Sequence, residues 1–513
     1  MTLAARIGQA ILWGQAGRLM EAAIVFLFSL LLARVLGPAT YGLYALGISL
    51  AGILSFLSLL GLGPETLGRF LPEIASNGEG QQTQRLLHTL LVVRSAGIIF
   101  VACLAFVFRG AISARLHFPV VVASLGAVLL VFAARSVFDL LTYFSSGLLE
   151  LRRVALAKLV AAAIAPGLFF PLFAFRRSGV DAAWVSIAAG SVAGTCILLF
   201  PLLPTREAGP SAGQALPIRR ILVFGLFTWA TNFFVYILGD STDVLLLGWL
   251  TPDRAAIGRY AVGARVVFSL TNLLLGWAAL VSVASLSEAY QRSGISGIAR
   301  SVEAQWKLGC LCTIAPLLFL IRYARDIVTV LFSGAYTSSA VIVQILSVLM
   351  VCSALCGFSV HGGVLYALGR ERSACTAVGA AAAFNLASEI VLVRRYGVPG
   401  AAWATGLSFV LLAVSCLALS SRYAPVSVPV DFLWKVSVAA AAALLSAGWF
   451  EPASIGTLAG IGAAYALVFF VTLALLKPLS TSDCVSLHSV NNVLGGCAKR
   501  FFTAAYASPS GDS

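Results

Sequence analysis

Apolar runs of about twenty residues follow one another along nearly the whole chain, separated by short breaks at proline, glycine or charge. Each run is long enough to cross ~30 Å of hydrocarbon as a helix. The pattern predicts fourteen spans, near 11–35, 41–62, 86–108, 119–146, 154–175, 180–203, 221–250, 257–285, 302–321, 338–366, 373–393, 398–420, 432–450 and 455–476. The runs are continuous, as in AGILSFLSLL and VVASLGAVLLVFAA, rather than alternating residue by residue. That excludes a transmembrane β-barrel and leaves the helix as the spanning element. The fold class expected is an all-α integral membrane protein. The first run, Ala22 to Leu32, has the length of a signal-peptide core, but no small-residue cleavage pattern follows it and it leads directly into another span, so it reads as a retained helix.

One stretch, LLLARVLGPATYGLYALGIS at 30–49, breaks at Leu36-Gly37-Pro38 and resumes within a few residues, which predicts a tight helical hairpin with Arg34 snorkelling to the surface. It has a second copy. LLLGWLTPDRAAIGRYAVG at 245–263 repeats the apolar run, the proline turn and the Gly-x-Tyr restart at an offset of 215 or 216. RRSGVDAAW at 176–184 answers RRYGVPGAAW at 394–403, and GLLELRR at 147–153 loosely answers GVLYALGR at 363–370. Two lobes of six helices follow, 1–203 and 218–420, joined by a Pro/Gly/Ser-containing linker at 204–217. An even number of spans per copy gives both copies the same orientation, the parallel-repeat plan of a rocking transporter. Helices 13 and 14 at 421–476 are additional, and 477–513 is a polar cytoplasmic tail.

Composition agrees with a lipid-embedded chain: 60% of its 513 residues are hydrophobic and 11% charged, with a mean hydropathy of +0.97. The formal charge of +14 has no basic cluster longer than two adjacent residues, so it reads as topology and not as a nucleic-acid surface. Even-numbered loops and the termini hold more Lys and Arg than odd-numbered loops, Arg152-Arg153, Arg219-Arg220 and Lys499-Arg500 among them. By the positive-inside rule both termini are cytoplasmic, in a multi-pass protein of the cytoplasmic membrane. The ten cysteines are scattered, eight of them within spans, and form no metal or disulfide framework.

Polar stripes run through several spans. Thr228, Asn232, Tyr236, Asp240 and Asp243 recur every three or four residues in span 7 and share one helical face. Span 8 carries Arg265, Ser269, Asn272 and Gly276, span 4 carries Arg135, Asp139, Thr142 and Ser146, and span 1 adds Arg18, Glu21 and Ser29. Each ionisable group at mid-membrane costs ~2.5–3.5 kcal/mol on insertion scales, so such stripes face a cavity or pair with one another. Arginine suits a phosphate through its bidentate fork. Carboxylates suit cation coupling, because desolvation moves their protonation towards neutrality. The structural alternative is local pairing, Arg18 with Glu21 and Arg135 with Asp139. Arg265 has no carboxylate at helical spacing and is the best single cargo contact; Asp240 and Asp243 are the candidates for coupling or gating. His361, alone deep in a span, is either packed and neutral or part of a proton path. Glu389 is expected to face water or Arg394. No P-loop is present, and no catalytic residue, cofactor or metal ligand is assigned.

The segment LLLARVLGPATYGLYALGISLAGILSFLSLLGLGPETLGRFLPE resembles the polysaccharide-export branch of the MOP flippase superfamily, with its Arg-x-Leu-Gly-Pro turn, Tyr-Gly-Leu-Tyr restart and Gly-Leu-Gly loop. The resemblance implies a flippase for lipid-linked oligosaccharides on a polyprenyl pyrophosphate, in which two lobes enclose a polar cavity, driven by a proton or sodium gradient or by membrane potential. It implies membrane lipid and a polymerase of the same pathway as further partners. Drug/cation antiporters share the fold with typically twelve helices, so the extra pair favours a lipid-linked cargo. A membrane glycosyltransferase would carry a larger extramembrane domain than these loops allow.

Overall fold

A computed structural model describes residues 3–76, 80–117, 122–175, 179–200, 218–425 and 427–479. The expected linker at 204–217, the Arg176-Arg177 pair and the tail from 480 onward lie outside the described residues. The described chain is all-α, and it divides into two compact units, Met1–Val262 and Gly263–Ser513. Helices of the first are α1 (Leu3–Leu57), α2 (Pro64–Ser76), α3 (Gly80–Val107), α4 (Arg109–Leu116), α5 (Val122–Gly147), α6 (Leu151–Phe175), α7 (Gly179–Leu199), α8 (Ile218–Ile237), α9 (Asp240–Leu250) and the start of α10 (Arg254–Phe332). The second holds the rest of α10, then α11 (Ser339–Leu355), α12 (Phe358–Ala367), α13 (Glu371–Tyr396), α14 (Val398–Ser420), α15 (Val430–Ala447) and α16 (Ile455–Leu476).

Eleven of the described helices are long and apolar enough to cross a membrane, or twelve if the bent pair α11–α12 is one span. The difference from fourteen lies in two long helical segments that glycine breaks inside. In α1, Gly37 has φ 72° and ψ 170°, a conformation open to glycine and strained for other residues. Ser29 Oγ and Tyr41 OH, twelve residues apart, meet at 2.7 Å. A straight helix would separate their backbones by ~18 Å, so the chain reverses at Gly37-Pro38 as the hairpin expectation required. In α10, Gly294 (φ 62°) makes the second break.

One element departs from the sequence reading, which left 63–85 as a loop. Helix α2 is amphipathic: Leu67, Phe70, Leu71 and Ile74 are buried against Phe138, Leu141 and Phe144 of α5. Its Arg69 guanidinium stacks on Phe224 of α8 at 4.6 Å, and Glu73 faces Arg220 at 3.6 Å. In the second unit, α15 and α16 pack together and onto α10. Tyr465 OH donates to Ala315 O at 2.9 Å, Arg322 to Gly448 O at 2.8 Å, and Tyr323 OH to Ala447 O. Two tyrosine hydroxyls, one on α16 and one on α10, therefore tie the additional helix pair to its neighbour, each through the other's backbone.

Candidate functional site

Five ionisable side chains converge inside the first unit. Glu21 of α1 pairs with Lys158 of α6 at 3.2 Å, and Asp139 of α5 lies in the fields of Arg135, Arg94, Lys158 and Glu21. Asp139 is eight residues from the end of α5 and Lys158 seven from the start of α6, and the two helices are joined by the short turn 148–150. Both charges therefore sit roughly 10–12 Å from the same membrane face. Three positive groups meet two negative ones, so the cluster has a formal surplus of positive charge, with Arg18 a turn from Glu21 on α1. Such a surplus at low dielectric attracts anions.

Glu21 finds a partner beyond its own helix face: Lys158, 137 residues away. The sequence reading missed Lys158 and Arg94, although each is a single charge inside an apolar run, in ALAKLV and LVVRSA. Arg94 of α3 is 1% exposed. Its Nε donates to Ser136 O at 3.2 Å, its Nη2 to Ser55 O at 3.3 Å, and the Ser55 and Ser136 hydroxyls meet at 2.9 Å. One guanidinium thus clamps α1, α3 and α5 together, while Arg135 remains exposed.

The stripe on span 7 is interrupted. Helix α8 ends at Ile237 and Gly239 caps α9, so Asp240 and Asp243 form the first turn of a separate helix, where the macrodipole favours carboxylates. Thr228 Oγ1 reaches Thr66 Oγ1 at 3.3 Å, and Tyr236 stacks on Phe56 at 5.1 Å. Asn232 and Asp240 are half-buried. Asp243 is fully buried and accepts a hydrogen bond from Tyr260 OH, across the Thr251-Pro252-Asp253 turn.

In the second unit, Arg265 is half-buried and Asn272 exposed. His361 is packed: it is fully buried, its Nδ1 is 2.9 Å from Ser420 Oγ, and its ring stands edge-on to Trp306 at 4.8 Å. Glu389 does not face water. It is buried one turn from Asn385, whose Nδ2 donates to Thr405 Oγ1 at 3.3 Å.

The second unit also contains an apolar cavity of about 790 Å³ between α10 and α16, lined by Leu311, Pro316, Phe319, Leu458, Tyr465 and Phe469 among others. After the Gly294 break its lining on α10 runs from Lys307 to Leu331, ~35 Å along a helix, which matches the hydrocarbon thickness, and Leu270 and Leu274 line it from before the break. Lys307 is 8% exposed and pairs with Glu303 at 2.7 Å.

Comparison with known proteins agrees with this architecture. A family model described as "Polysaccharide biosynthesis protein" matches residues 31–341. An uncharacterized membrane protein of Methanocaldococcus jannaschii is 22% identical over 429 residues, covering 78% of this chain and 81% of the relative. Among solved structures, the lipid II flippase MurJ in an inward closed conformation superposes with a TM-score of 0.73 at 15% identity, covering 91% of this chain and 99% of that one. An inward-facing MATE-family multidrug resistance transporter of the MOP superfamily superposes with a TM-score of 0.63 at 14% identity, covering 79% and 94%.

Proposed function

The chain belongs to the polysaccharide biosynthesis protein family, and from that premise we propose that it translocates a lipid-linked oligosaccharide, a glycan on a polyprenyl pyrophosphate, from the cytoplasmic to the outer leaflet. The observation that carries this reading is the apolar cavity at α16. A polyprenyl tail needs a groove as long as the hydrocarbon is thick, and one lined by Leu, Phe and Pro gives it no polar contact to lose. Lys307 lines the groove on α10 and supplies a cation for an anionic head group. The charged cluster of the first unit suits the pyrophosphate and sugar, and the MurJ likeness supports a cargo with a lipid tail by covering more of the chain than the MATE likeness does.

Loss of the protein should trap lipid-linked oligosaccharide on the cytoplasmic leaflet and remove surface glycan. Unchanged surface glycan together with sensitivity to cationic drugs, in a cell lacking a second flippase, would replace this reading with a drug/cation antiporter. We place both termini in the cytoplasm of a cytoplasmic-membrane protein, with 36–40 and 251–256 outside. A cysteine at Ala39 should then react with an impermeant thiol reagent on intact cells; reaction only after permeabilisation would invert the topology.

Arg265 is our cargo contact on α10, and Asp240 and Asp243 our coupling or gating pair, with a proton or sodium ion as the driving cation and a polymerase downstream. Arg265→Lys should keep partial transport, because charge survives while bidentate geometry is lost. Arg265→Ala should abolish it. A well-inserted Arg265→Ala protein that moves cargo at the native rate would make this arginine structural.

A further inference from the structure

The repeated Gly-x-Tyr restarts touch each other in the first unit. A Cβ built on Gly42 would lie 1.9 Å from Arg254 O and 2.9 Å from Gly258 N. One built on Gly258 would lie 2.0 Å from Pro38 O and 2.9 Å from Gly42 N. Adding 216 to Pro38 and Gly42 gives Arg254 and Gly258, so each copy makes the same contact that it receives. That reciprocity is the signature of a two-fold axis, here relating two segments of one chain. The segments are the first turns of the helices that follow the Gly37-Pro38 and Thr251-Pro252 turns. Both glycines are buried, and the Cα–H of each points at a carbonyl of the other segment, a backbone contact that only glycine permits.

We propose that the Gly42–Gly258 contact is a gate on the side of the membrane that holds both turns, closed in this structure and parted when the transport path opens to that side. Three features suit it to that role. It lies on the symmetry axis, where two copies moving oppositely must separate. At the two glycines backbone meets backbone with no side chain interposed, so what parting must break beside them is the packing of Leu46 on Gly248 and the hydrogen bond from Arg254 to His117 O at 3.1 Å. Its closure leaves no room for a methyl group, which makes the closed state depend on both glycines. Deeper along the same helix, about 15 Å inward, Gly52 meets the Tyr236 hydroxyl, 3.1 Å from a Cβ built there; the backbone contact therefore caps the polar stripe of α8. The proposal rests on the transport reading and not on the identity of the cargo.

The test reads conformation, so it stands apart from any cargo assay. Spin labels at Ala39 and Ala255, symmetry-related positions beside the contact, are placed in the full-length protein in proteoliposomes, and their separation is measured by pulsed electron resonance. The native protein should show a short and a long population. Gly42→Ala and Gly258→Ala should each raise the ratio of long to short at least tenfold. Gly110→Ala, where an added Cβ has no neighbour within 4 Å, should leave it unchanged. A single short population in the native protein overturns the gate, whatever the variants do. So does an unshifted ratio in both glycine variants inserted at native abundance. Should the variants not insert, two native populations support the proposal.

Discussion

Arg94→Met is expected to destabilise the first unit by about 3 kcal/mol or more, read as a fall in the melting temperature of the purified protein and in its folded abundance. Hydrogen bonds from a charged donor contribute about 1.5–3 kcal/mol, and removing one partner of a buried charge costs about 3–5 kcal/mol. Arg94 meets both conditions, since it donates to Ser136 O and Ser55 O from a 1% exposed position and lies in the field of Asp139. Methionine fills similar space but leaves both carbonyls without that donor. Arg94→Lys should fall between, because a single ammonium lacks the fork that spans two helices. A Met variant that melts with the native protein would show that the clamp contributes nothing.

Gly462→Trp should cut transport of a polyprenyl-linked substrate in proteoliposomes at least tenfold while the protein folds and inserts normally. Gly462 lines the apolar cavity on α16, and a Cβ built there stops at an ordinary 3.6 Å from Phe319 Cζ. Gly462→Ala should therefore be tolerated, with the native rate retained. An indole at the same position projects into the space assigned to the lipid tail and competes with it. Native transport by Gly462→Trp would remove the cavity from the cargo path and leave the charged cluster as the remaining support for a lipid-linked substrate.

Legibility in the sequence followed the range of each interaction. The apolar periods and the Gly37-Pro38 break are local, so the spans and the first hairpin could be read directly; α2 was equally legible from Leu67, Phe70, Leu71 and Ile74 at helical spacing, though the polar residues around it hid the pattern. The site was less legible. Glu21, Arg135 and Asp139 announce themselves as charges in apolar runs, but a helix-face argument finds only neighbours three or four residues away and so suggests Arg18 for Glu21. It could not find Lys158. The same limit hid the interruption of the span 7 stripe at Gly239, because spacing alone continues a face straight through a break.

The RR-x-GV…AAW repeat shows where the division lies. Its two copies are nearly identical as text, and the sequence alone fixes that each begins a helix after a polar turn, because glycine and charge interrupt the apolar run there. Burial is another matter: Trp184 is fully buried, with its indole over Gly47 and its Nε1 directed at Tyr44 O at 3.4 Å, while Trp403 is 41% exposed. An indole is buried only where another helix presents a surface that admits it, and Gly47 does so from a segment 137 positions earlier. Hydrophobic patterning sets which residues leave water; in a chain surrounded by lipid it gives little preference for one apolar neighbour over another. The choice between protein and lipid as the partner of each face was made by close packing at small residues and by pairing of the few charges, which exist only once the helices have met.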